Sequence, residues 1–193
     1  MKKIKINTTG ILKPFKYHSD IKEELLQHIG NAYSDSVNAK DEYYNDEISR
    51  LDWSKHLDYD RDWLKFIVPK LYEHFKECAI DLNYKDSHIK GIWYQQYVKN
   101  NIHGWHIHGE NYTGVYYLEL PDDAPRTELI DQYNIKRKIT VDAKEGDIVI
   151  FPSFIIHRAP KMQSDTRKTI ISFNFDIIGM SGMWYNSEDV ILK

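Results

Sequence analysis

The change in hydrophobic period near Gly91 constrains the fold more than any other feature of the sequence. Before it, apolar residues recur at every fourth position from Trp63 to Ala79, which predicts an amphipathic helix. After it, no helical stripe remains. Five segments rich in β-branched and aromatic residues follow instead: 91–98, 113–120, 137–141, 147–151 and 168–177. Helices followed by a run of strands indicate an α+β protein, mainly β, with a two-sheet sandwich or barrel braced by helices.

The first 90 residues are predicted to support this β structure. Asp20 and Glu23 have the spacing of a capping box, and Ile21 begins an apolar repeat that ends at Gly30, which predicts a first helix. Pro69 predicts a kink or a restart in the second helix. Composition and pattern predict two further segments, a short strand over 2–6 and a polar loop over 34–52.

Composition excludes several other classes of protein. With 193 residues, 41% of them hydrophobic and 28% charged, the chain is predicted to be a single globular domain without a membrane-spanning helix. Its one cysteine, Cys78, cannot form an internal disulfide, which favours the cytoplasm. The net charge of -3 disfavours nucleic acid as a partner.

Nine histidines against one cysteine imply that any bound metal has imidazole and oxygen ligands. His106 and His108 lie two residues apart between predicted strands, so in extended chain both side chains point to one face, about 6.6 Å apart. His103 is predicted to point to the opposite face. His157, which follows a buried strand and a Pro-Ser corner, is the candidate third ligand from a distant part of the chain.

Two polar residues at the start of the last predicted strand suggest an anion-binding point. Arg167 opens this otherwise apolar strand, and a buried arginine requires an anionic partner. Thr169 lies two residues further along on the same face and offers a hydroxyl donor. The pair therefore predicts an anion held beside the strand.

In this order, the residues resemble the His-x-Asp/Glu … His … Arg pattern of the Fe(II)/2-oxoglutarate-dependent dioxygenases. The resemblance covers residues 91–176 and is greatest to the prolyl-hydroxylase-like group of 2OG-Fe(II) oxygenases. The matching segments are Trp105-His-Ile-His108, Thr113-Gly-Val-Tyr-Tyr117, Gly146-Asp-Ile-Val-Ile-Phe-Pro-Ser153 and Arg167-Lys-Thr-Ile-Ile-Ser-Phe-Asn174. The resemblance implies a double-stranded β-helix, a jelly-roll barrel like that of the cupins, over 91–178. Residues 1–90 would be its helical support and 179–193 a C-terminal extension.

The same resemblance implies a reaction and a set of site residues. The reaction is oxidative decarboxylation of 2-oxoglutarate to succinate, coupled to hydroxylation of an unidentified small molecule or protein side chain by O2 at Fe(II). His106 and His157 would ligate the iron. The residues implied to contact 2-oxoglutarate are Arg167, which would pair with its distal carboxylate, Thr169, Tyr97 and Tyr117.

Position 108 departs from the family pattern, because the second ligand is usually a carboxylate and here it is histidine. Three histidines leave the same number of iron positions open but make the site one charge more positive. Glu110 is the alternative third ligand. It lies about 13 Å from His106 in extended chain, so the backbone would have to fold back at Gly109. We expect His108 rather than Glu110 to bind the metal.

The histidine at 108 leaves two other functions open. Cupins share the jelly-roll topology and bind metals through a His-x-His pair, a Glu and a later His. The chain therefore also resembles a three-histidine cupin metalloenzyme, either a dioxygenase that does not use 2-oxoglutarate or a non-oxidative enzyme. The third alternative is an inactive binding module on the same barrel. Arg167 and Thr169 favour the oxygenase, because a cupin gives no reason for an Arg-x-Thr pair there.

Overall fold

A computed structural model of the chain describes residue 4 and residues 6–40 and 45–180. A single turn of 3-10 helix, Trp53–Lys55, precedes the second α-helix. Within these residues no helix is long and apolar enough to cross a membrane. The elements in chain order are β1 (Ile11–Pro14), α1 (His18–Asn31), β2 (Asp35–Lys40), β3 (Asn45–Leu51), α2 (Asp62–Asp81), β4 (Tyr84–Tyr97), β5 (His103–His106), β6 (Tyr112–Glu119), β7 (Glu128–Ile130), β8 (Lys138–Thr140), β9 (Asp147–Pro152), β10 (His157–Ala159) and β11 (Lys168–Met180).

The strands form two sheets. The larger has seven strands in the order β1-β9-β6-β11-β4-β3-β2, and the smaller has four in the order β5-β10-β7-β8. All of the neighbouring strands pair antiparallel. Neighbours in a sheet are often distant in sequence, as where β6 lies between β9 and β11, and this is the connectivity of a jelly roll. The predicted α+β, mainly β, fold braced by N-terminal helices is confirmed.

The central strands of the larger sheet are buried on both faces. Tyr94 and Phe173 face α1 and α2, in the core between the helices and this sheet. Trp93, Tyr97 and Val115 face the other way, into a second core between the two sheets. Side chains alternate along a strand, so burial on both faces favours apolar residues at many positions. This explains why these segments stand out in the sequence as rich in β-branched and aromatic residues.

The polar segment predicted to be a loop, 34–52, contains strands β2 and β3. These strands pair with each other and extend the larger sheet at its edge, where β3 meets β4 through Arg50 and Leu51. An edge strand has one side open to water and does not need the apolar pattern by which a strand is usually recognised. The loop prediction is therefore wrong for most of this segment.

Other boundaries also differ from the prediction. α2 runs without a restart from Asp62 to Asp81 through Pro69, since Ile67 and Leu71 on either side are fully buried against the sheet. Of the strand predicted over 2–6, the structure describes residues 4 and 6, and neither is in a strand; β1 begins at Ile11. β11 extends to Met180, past the predicted end of the core at 178. Residues 181–193 of the predicted extension lie outside the described part.

Candidate metal centre

The smaller sheet brings the three predicted ligands together. β5 pairs with β10 so that His106 lies directly opposite His157. His108 follows β5 by two residues, and its backbone N–H donates to the Ser153 carbonyl at 3.1 Å, which fixes this loop against the end of β9. One ring nitrogen of each of the three histidines lies within 4.8 Å of the other two. This separation is small enough for a single ion to contact all three rings.

Backbone contacts orient two of these rings. His106 Nδ1 lies 2.7 Å from the Gly104 carbonyl, and His157 Nδ1 lies 2.9 Å from the Ile155 carbonyl. A carbonyl oxygen only accepts, so each Nδ1 carries the hydrogen and each Nε2 carries the lone pair. His108 Nε2 lies 3.3 Å from His157 Nε2. The Nε2 atoms of His108 and His157 therefore converge, as ligands of one ion must.

Burial keeps the imidazole rings of His108 and His157 uncharged. Burial, with a smaller contribution from the neighbouring His106, lowers the pKa of His108 to about 3. Burial, with smaller contributions from His106 and His108, lowers the pKa of His157 to about 3. At neutral pH both rings are therefore in the form that binds a metal ion.

His103 lies on the same face as the ligands, so the predicted opposite orientation is wrong. Its ring stacks on His106 with the centroids 4.0 Å apart and the planes 10° apart. The cause is a bulge. His106 pairs with His157 and His103 pairs with Ala159, so a step of three residues on β5 matches a step of two on β10. The extra residue turns His103 back to the ligand face.

Glu110, the alternative third ligand, does not join this cluster. Among the described residues, the only group of three or more ligand-type side chains close enough to share an ion is His106, His108 and His157. The structure thus brings His108, and not Glu110, to the two other histidines.

Arg167 and Thr169 lie on the face of β11 that points away from the histidines. Arg167 Nε and Nη2 donate to the Glu119 carboxylate at 2.9 and 2.8 Å, and the Thr169 hydroxyl donates to the same group. The next residues on this face, Ile171 and Phe173, pack toward the helices. The anionic partner predicted for Arg167 and Thr169 is therefore the carboxylate of Glu119. The structure does not bring Arg167 and Thr169 to the predicted metal ligands.

Lys168 is the basic residue that β11 turns into the interior. Ile170 and Ser172, two and four residues further along the strand, line the same cavity as the histidines. Because strand side chains alternate, Lys168 shares their face. Tyr97 lines that cavity too, and Lys168 Nζ lies 5.4 Å from the centroid of its ring.

The surroundings of Lys168 leave its charge uncompensated. The side chain is 2% exposed, and Nζ donates to the Pro125 carbonyl at 2.7 Å. In the described part of the chain it has no carboxylate partner. Burial, and to a smaller extent the nearby Arg126, lowers its pKa to about 7. A buried amine of this kind is favourable mainly when an anion joins it.

The two tyrosines predicted to contact the cosubstrate both lie in the interior. The Tyr97 hydroxyl donates to Gln95 Oε1 at 2.8 Å, at the wall of the histidine cavity. The Tyr117 hydroxyl donates to Thr127 Oγ1 at 2.7 Å. Thr127 lines the cavity, so Tyr117 is placed behind this wall rather than in it.

Comparison with known proteins identifies the fold. No family model matches the sequence, and the comparison with curated proteins found no match. Among solved structures, an oxidoreductase of the 2OG-Fe(II) oxygenase family from Burkholderia pseudomallei aligns with a TM-score of 0.68 at 10% identity, over 89% of this chain and 87% of that one. The chain has the fold of a 2OG-Fe(II) oxygenase.

Two further structures with the 2OG-Fe(II) oxygenase fold are similar over most of their length. A prolyl-4-hydroxylase from Pseudomonas putida aligns with a TM-score of 0.59 at 12% identity, over 90% of this chain and 95% of that one. HygX from Streptomyces hygroscopicus, solved with nickel and 2-oxoglutarate bound, aligns with a TM-score of 0.59 at 10% identity, over 90% and 84%. At these identities the similarity concerns the fold, and the chemistry has to be argued from this chain's own residues.

In this 2OG-Fe(II) oxygenase fold, regular alternation along β11 separates Lys168 from Arg167. Lys168, Ser172 and Asn174 lie an even number of residues apart and therefore share one face of the strand. Arg167 shares the opposite face with Phe173, which packs toward the helices.

Proposed function

We propose that the protein is an Fe(II)- and 2-oxoglutarate-dependent dioxygenase that hydroxylates an organic substrate. The observation that carries the proposal is that one cavity combines two features. Three histidines converge on it, and a buried lysine without a carboxylate partner in the described residues lies next to Tyr97 in its wall, with Nζ 5.4 Å from the centroid of the Tyr97 ring. The first is a metal site with no charge of its own. The second is a cation placed to receive an anion, and 2-oxoglutarate is a dianion that needs both.

The three histidines are suited to holding the ion. His106, His108 and His157 would bind it through Nε2, and the backbone carbonyls at Nδ1 of His106 and His157 hold those rings in orientation. Three protein ligands leave positions open on the metal for other molecules. When bound, iron with 2-oxoglutarate and O2 supplies the oxidising power to hydroxylate a C–H bond while 2-oxoglutarate is cleaved to succinate and CO2.

The charge of the site favours a dianionic cosubstrate. A site of two histidines and one carboxylate reduces the charge of a bound Fe(II) from +2 to +1, whereas three uncharged imidazoles leave it at +2. With protonated Lys168 nearby, the cavity would carry excess positive charge in a region of low dielectric constant. A ligand with two carboxylates neutralises most of this charge.

We assign the distal carboxylate of 2-oxoglutarate to Lys168 in place of Arg167. Arg167 and Thr169 already bind Glu119 on the other face of β11. Tyr97, whose ring lies under Lys168 Nζ, remains a candidate contact, while Tyr117 would act only through Thr127. Trp93 Nε1, which is buried at the same cavity and has no hydrogen-bond partner in the described residues, offers a further donor to a ligand oxygen.

The partners and the location are also proposals. O2 and an unidentified substrate, either a small molecule or a protein side chain, are the partners that the mechanism requires. The positive residues of β8 and the turn before it are partly neutralised, since Lys138 pairs with Glu128 and Arg137 with Asp131. This pairing disfavours a nucleic-acid surface there. We place the protein in the cytoplasm because its one cysteine, Cys78, cannot form an internal disulfide.

One observation favours a second candidate, a three-histidine metalloenzyme of the cupin type that does not use 2-oxoglutarate. The cavity beside the histidines measures about 30 Å³, which is close to the volume of one water molecule. Such a space suits a metal ion with water-sized ligands. Under this alternative, Lys168 has no role at the metal, so cosubstrate binding distinguishes the two.

The test is an anaerobic titration. The purified protein is loaded with Fe(II), 2-oxoglutarate is added, and the visible absorption band of 2-oxoglutarate bound to Fe(II) is recorded. We expect the band to appear and to be absent from a His157→Ala variant. Metal binding without a band would support the cupin-type alternative. Failure to bind any metal would support an inactive binding module on the same fold.

A further inference from the structure

Asn174 lies on the interior face of β11 and contacts one of the three histidines. It is 7% exposed, and its amide nitrogen Nδ2 lies 3.4 Å from His108 Nδ1. Its amide oxygen Oδ1 lies 2.9 Å from Thr113 Oγ1, and the Thr113 hydroxyl also lies 3.1 Å from the Phe173 carbonyl. The amide is therefore held between an imidazole on one side and a hydroxyl on the other.

This contact distinguishes His108 from the other two histidines. The Nδ1 atoms of His106 and His157 face backbone carbonyls, which can only accept a hydrogen bond. Those carbonyls fix the tautomer in which Nδ1 carries the hydrogen. His108 Nδ1 instead faces a side-chain amide, which can present either a donor or an acceptor.

The two orientations of this amide correspond to the two tautomers of His108. With Nδ2 toward the ring, His108 Nδ1 accepts, the hydrogen is on Nε2, and Nε2 can donate to His157 Nε2 at 3.3 Å. With Oδ1 toward the ring, His108 Nδ1 donates and Nε2 has a free lone pair. Nδ2 then donates to Thr113 Oγ1, whose hydroxyl donates to the Phe173 carbonyl. Both orientations give Asn174 and His108 Nδ1 a hydrogen-bond partner, but in the second the lone pairs of His108 Nε2 and His157 Nε2 face each other and require a metal ion between them.

We propose that Asn174 is the positioning residue of His108 and that its amide, by turning end for end, stabilises the tautomer in which His108 Nε2 binds the metal. The inference rests on the proposed metal site but not on 2-oxoglutarate. Asn174 supplies through a side chain the acceptor that backbone carbonyls supply to His106 and His157. The Thr113 hydroxyl is compatible with both orientations of the Asn174 amide, because it can accept from Nδ2 in one orientation and donate to Oδ1 in the other.

The first measurement is Co(II) affinity, by competition with a chromophoric chelator. We expect Asn174→Ala to bind Co(II) about 10- to 100-fold more weakly than the wild type, since loss of a hydrogen bond to a ligating histidine has effects of this size. Asn174→Asp, whose carboxylate can only accept, should bind at least as tightly as the wild type. Ser153→Ala is the matched control. It also removes a buried polar group next to His108, but the Ser153 hydroxyl has no partner in the described residues. The Co(II) affinity of this variant should therefore stay within about twofold of the wild-type value.

The second measurement is the proton NMR spectrum of the Co(II) protein, which shows the ring N–H of each ligating histidine as a shifted, exchangeable resonance. The wild type should show three such resonances. Asn174→Ala should retain two, because the His108 N–H exchanges with water once its acceptor is gone, and Asn174→Asp should restore the third. If Asn174→Ala does not fold, Thr113→Val tests the same contact and should broaden the same resonance.

The outcomes separate the two proposals. If the wild type binds Co(II) and Asn174→Ala retains both its affinity and three resonances, Asn174 does not position His108, while the metal site stands. If the wild type itself binds no Co(II), the proposed metal site is wrong and the role of Asn174 is wrong with it.

Discussion

Replacing Lys168 with methionine should stabilise the fold while it abolishes cosubstrate binding. Burial lowers the pKa of Lys168 from 10.5 to about 7. Since each pKa unit is worth about 1.4 kcal/mol, the uncompensated amine costs about 5 kcal/mol of folding free energy at low pH. The substitution also removes the hydrogen bond from Nζ to the Pro125 carbonyl, which reduces the expected gain in stability by about 1 kcal/mol. Lys168→Met should therefore raise the free energy of unfolding by about 3–4 kcal/mol near pH 7.

The pH dependence of this gain follows from the same two pKa values. Between pH 7 and pH 10.5 the unfolded lysine binds more protons than the folded one, so the stability of the wild type rises with pH across this window. The variant lacks the titrating group and shows no such rise. The excess free energy of unfolding of Lys168→Met over the wild type should be largest at pH 7 and below, and should disappear as the pH approaches 10.5.

Lys168→Met should weaken the binding of 2-oxoglutarate although it stabilises the fold. Removing one partner of a buried ion pair costs about 3–5 kcal/mol, which corresponds to roughly two to four orders of magnitude in the dissociation constant of 2-oxoglutarate. Urea unfolding at pH 7 and pH 10 measures the first effect, and isothermal titration calorimetry of the metal-loaded protein measures the second.

Arg167→Met is the matched control for Lys168→Met. The Arg167 side chain is 46% exposed and pairs with Glu119, so we expect its loss to change stability by less than about 1 kcal/mol and to leave 2-oxoglutarate binding unchanged. If Arg167→Met abolishes binding and Lys168→Met does not, the strand-face argument is wrong and the sequence-based choice of Arg167 is right. A large loss of stability in Lys168→Met would show that the lysine charge is compensated.

Three further predictions address the cosubstrate, the ligand set and the fold. Because only protonated Lys168 pairs with a carboxylate, the dissociation constant of 2-oxoglutarate should rise about tenfold per pH unit above its pKa of about 7; calorimetry showing a constant value to pH 9 would exclude this role. In equilibrium dialysis with Fe(II) under anaerobic conditions, His108→Ala should lose metal and Glu110→Ala should retain it, and the reverse result would make Glu110 the ligand. Asp52→Ala should lower the free energy of unfolding in urea by about 3–5 kcal/mol, because Asp52 is 1% exposed and its pair with Arg61 is buried, while metal affinity stays unchanged.

The sequence predicted those parts of the fold whose residues show burial on a regular period. α2 was found because Trp63, Ile67 and Leu71 form one stripe against the sheet, and the central strands because β-branched and aromatic residues occur on both of their faces. β2 and β3 were missed because β2 is an edge strand and β3 pairs with β4 only through Arg50 and Leu51, so neither strand needs an apolar composition that would separate it from a loop.

The site could be predicted as far as spacing determines the face of a strand. His106, His108 and His157 were selected by spacing and order, and the structure brings these three side chains together. His103 was misplaced because the bulge in β5 inserts one residue, and this reverses the face that simple alternation assigns. The choice between Arg167 and Lys168 depends on the strand face in the same way. The two residues are adjacent in sequence, so they lie on opposite faces: Arg167 forms a surface ion pair, and Lys168 is a buried cation. Asn174 could be recognised only from its contact with His108.

Succinate formation provides the decisive measurement of the proposed chemistry. The protein, stripped of metal with a chelator and reloaded with Fe(II), is mixed with 2-oxoglutarate in air-saturated buffer, and succinate and residual 2-oxoglutarate are quantified together. We predict one succinate for each 2-oxoglutarate consumed, no turnover without Fe(II), and none in His157→Ala. Tight Fe(II) binding that depends on the three histidines, with 2-oxoglutarate recovered intact, would instead make the protein a metalloprotein of this fold with a different reaction.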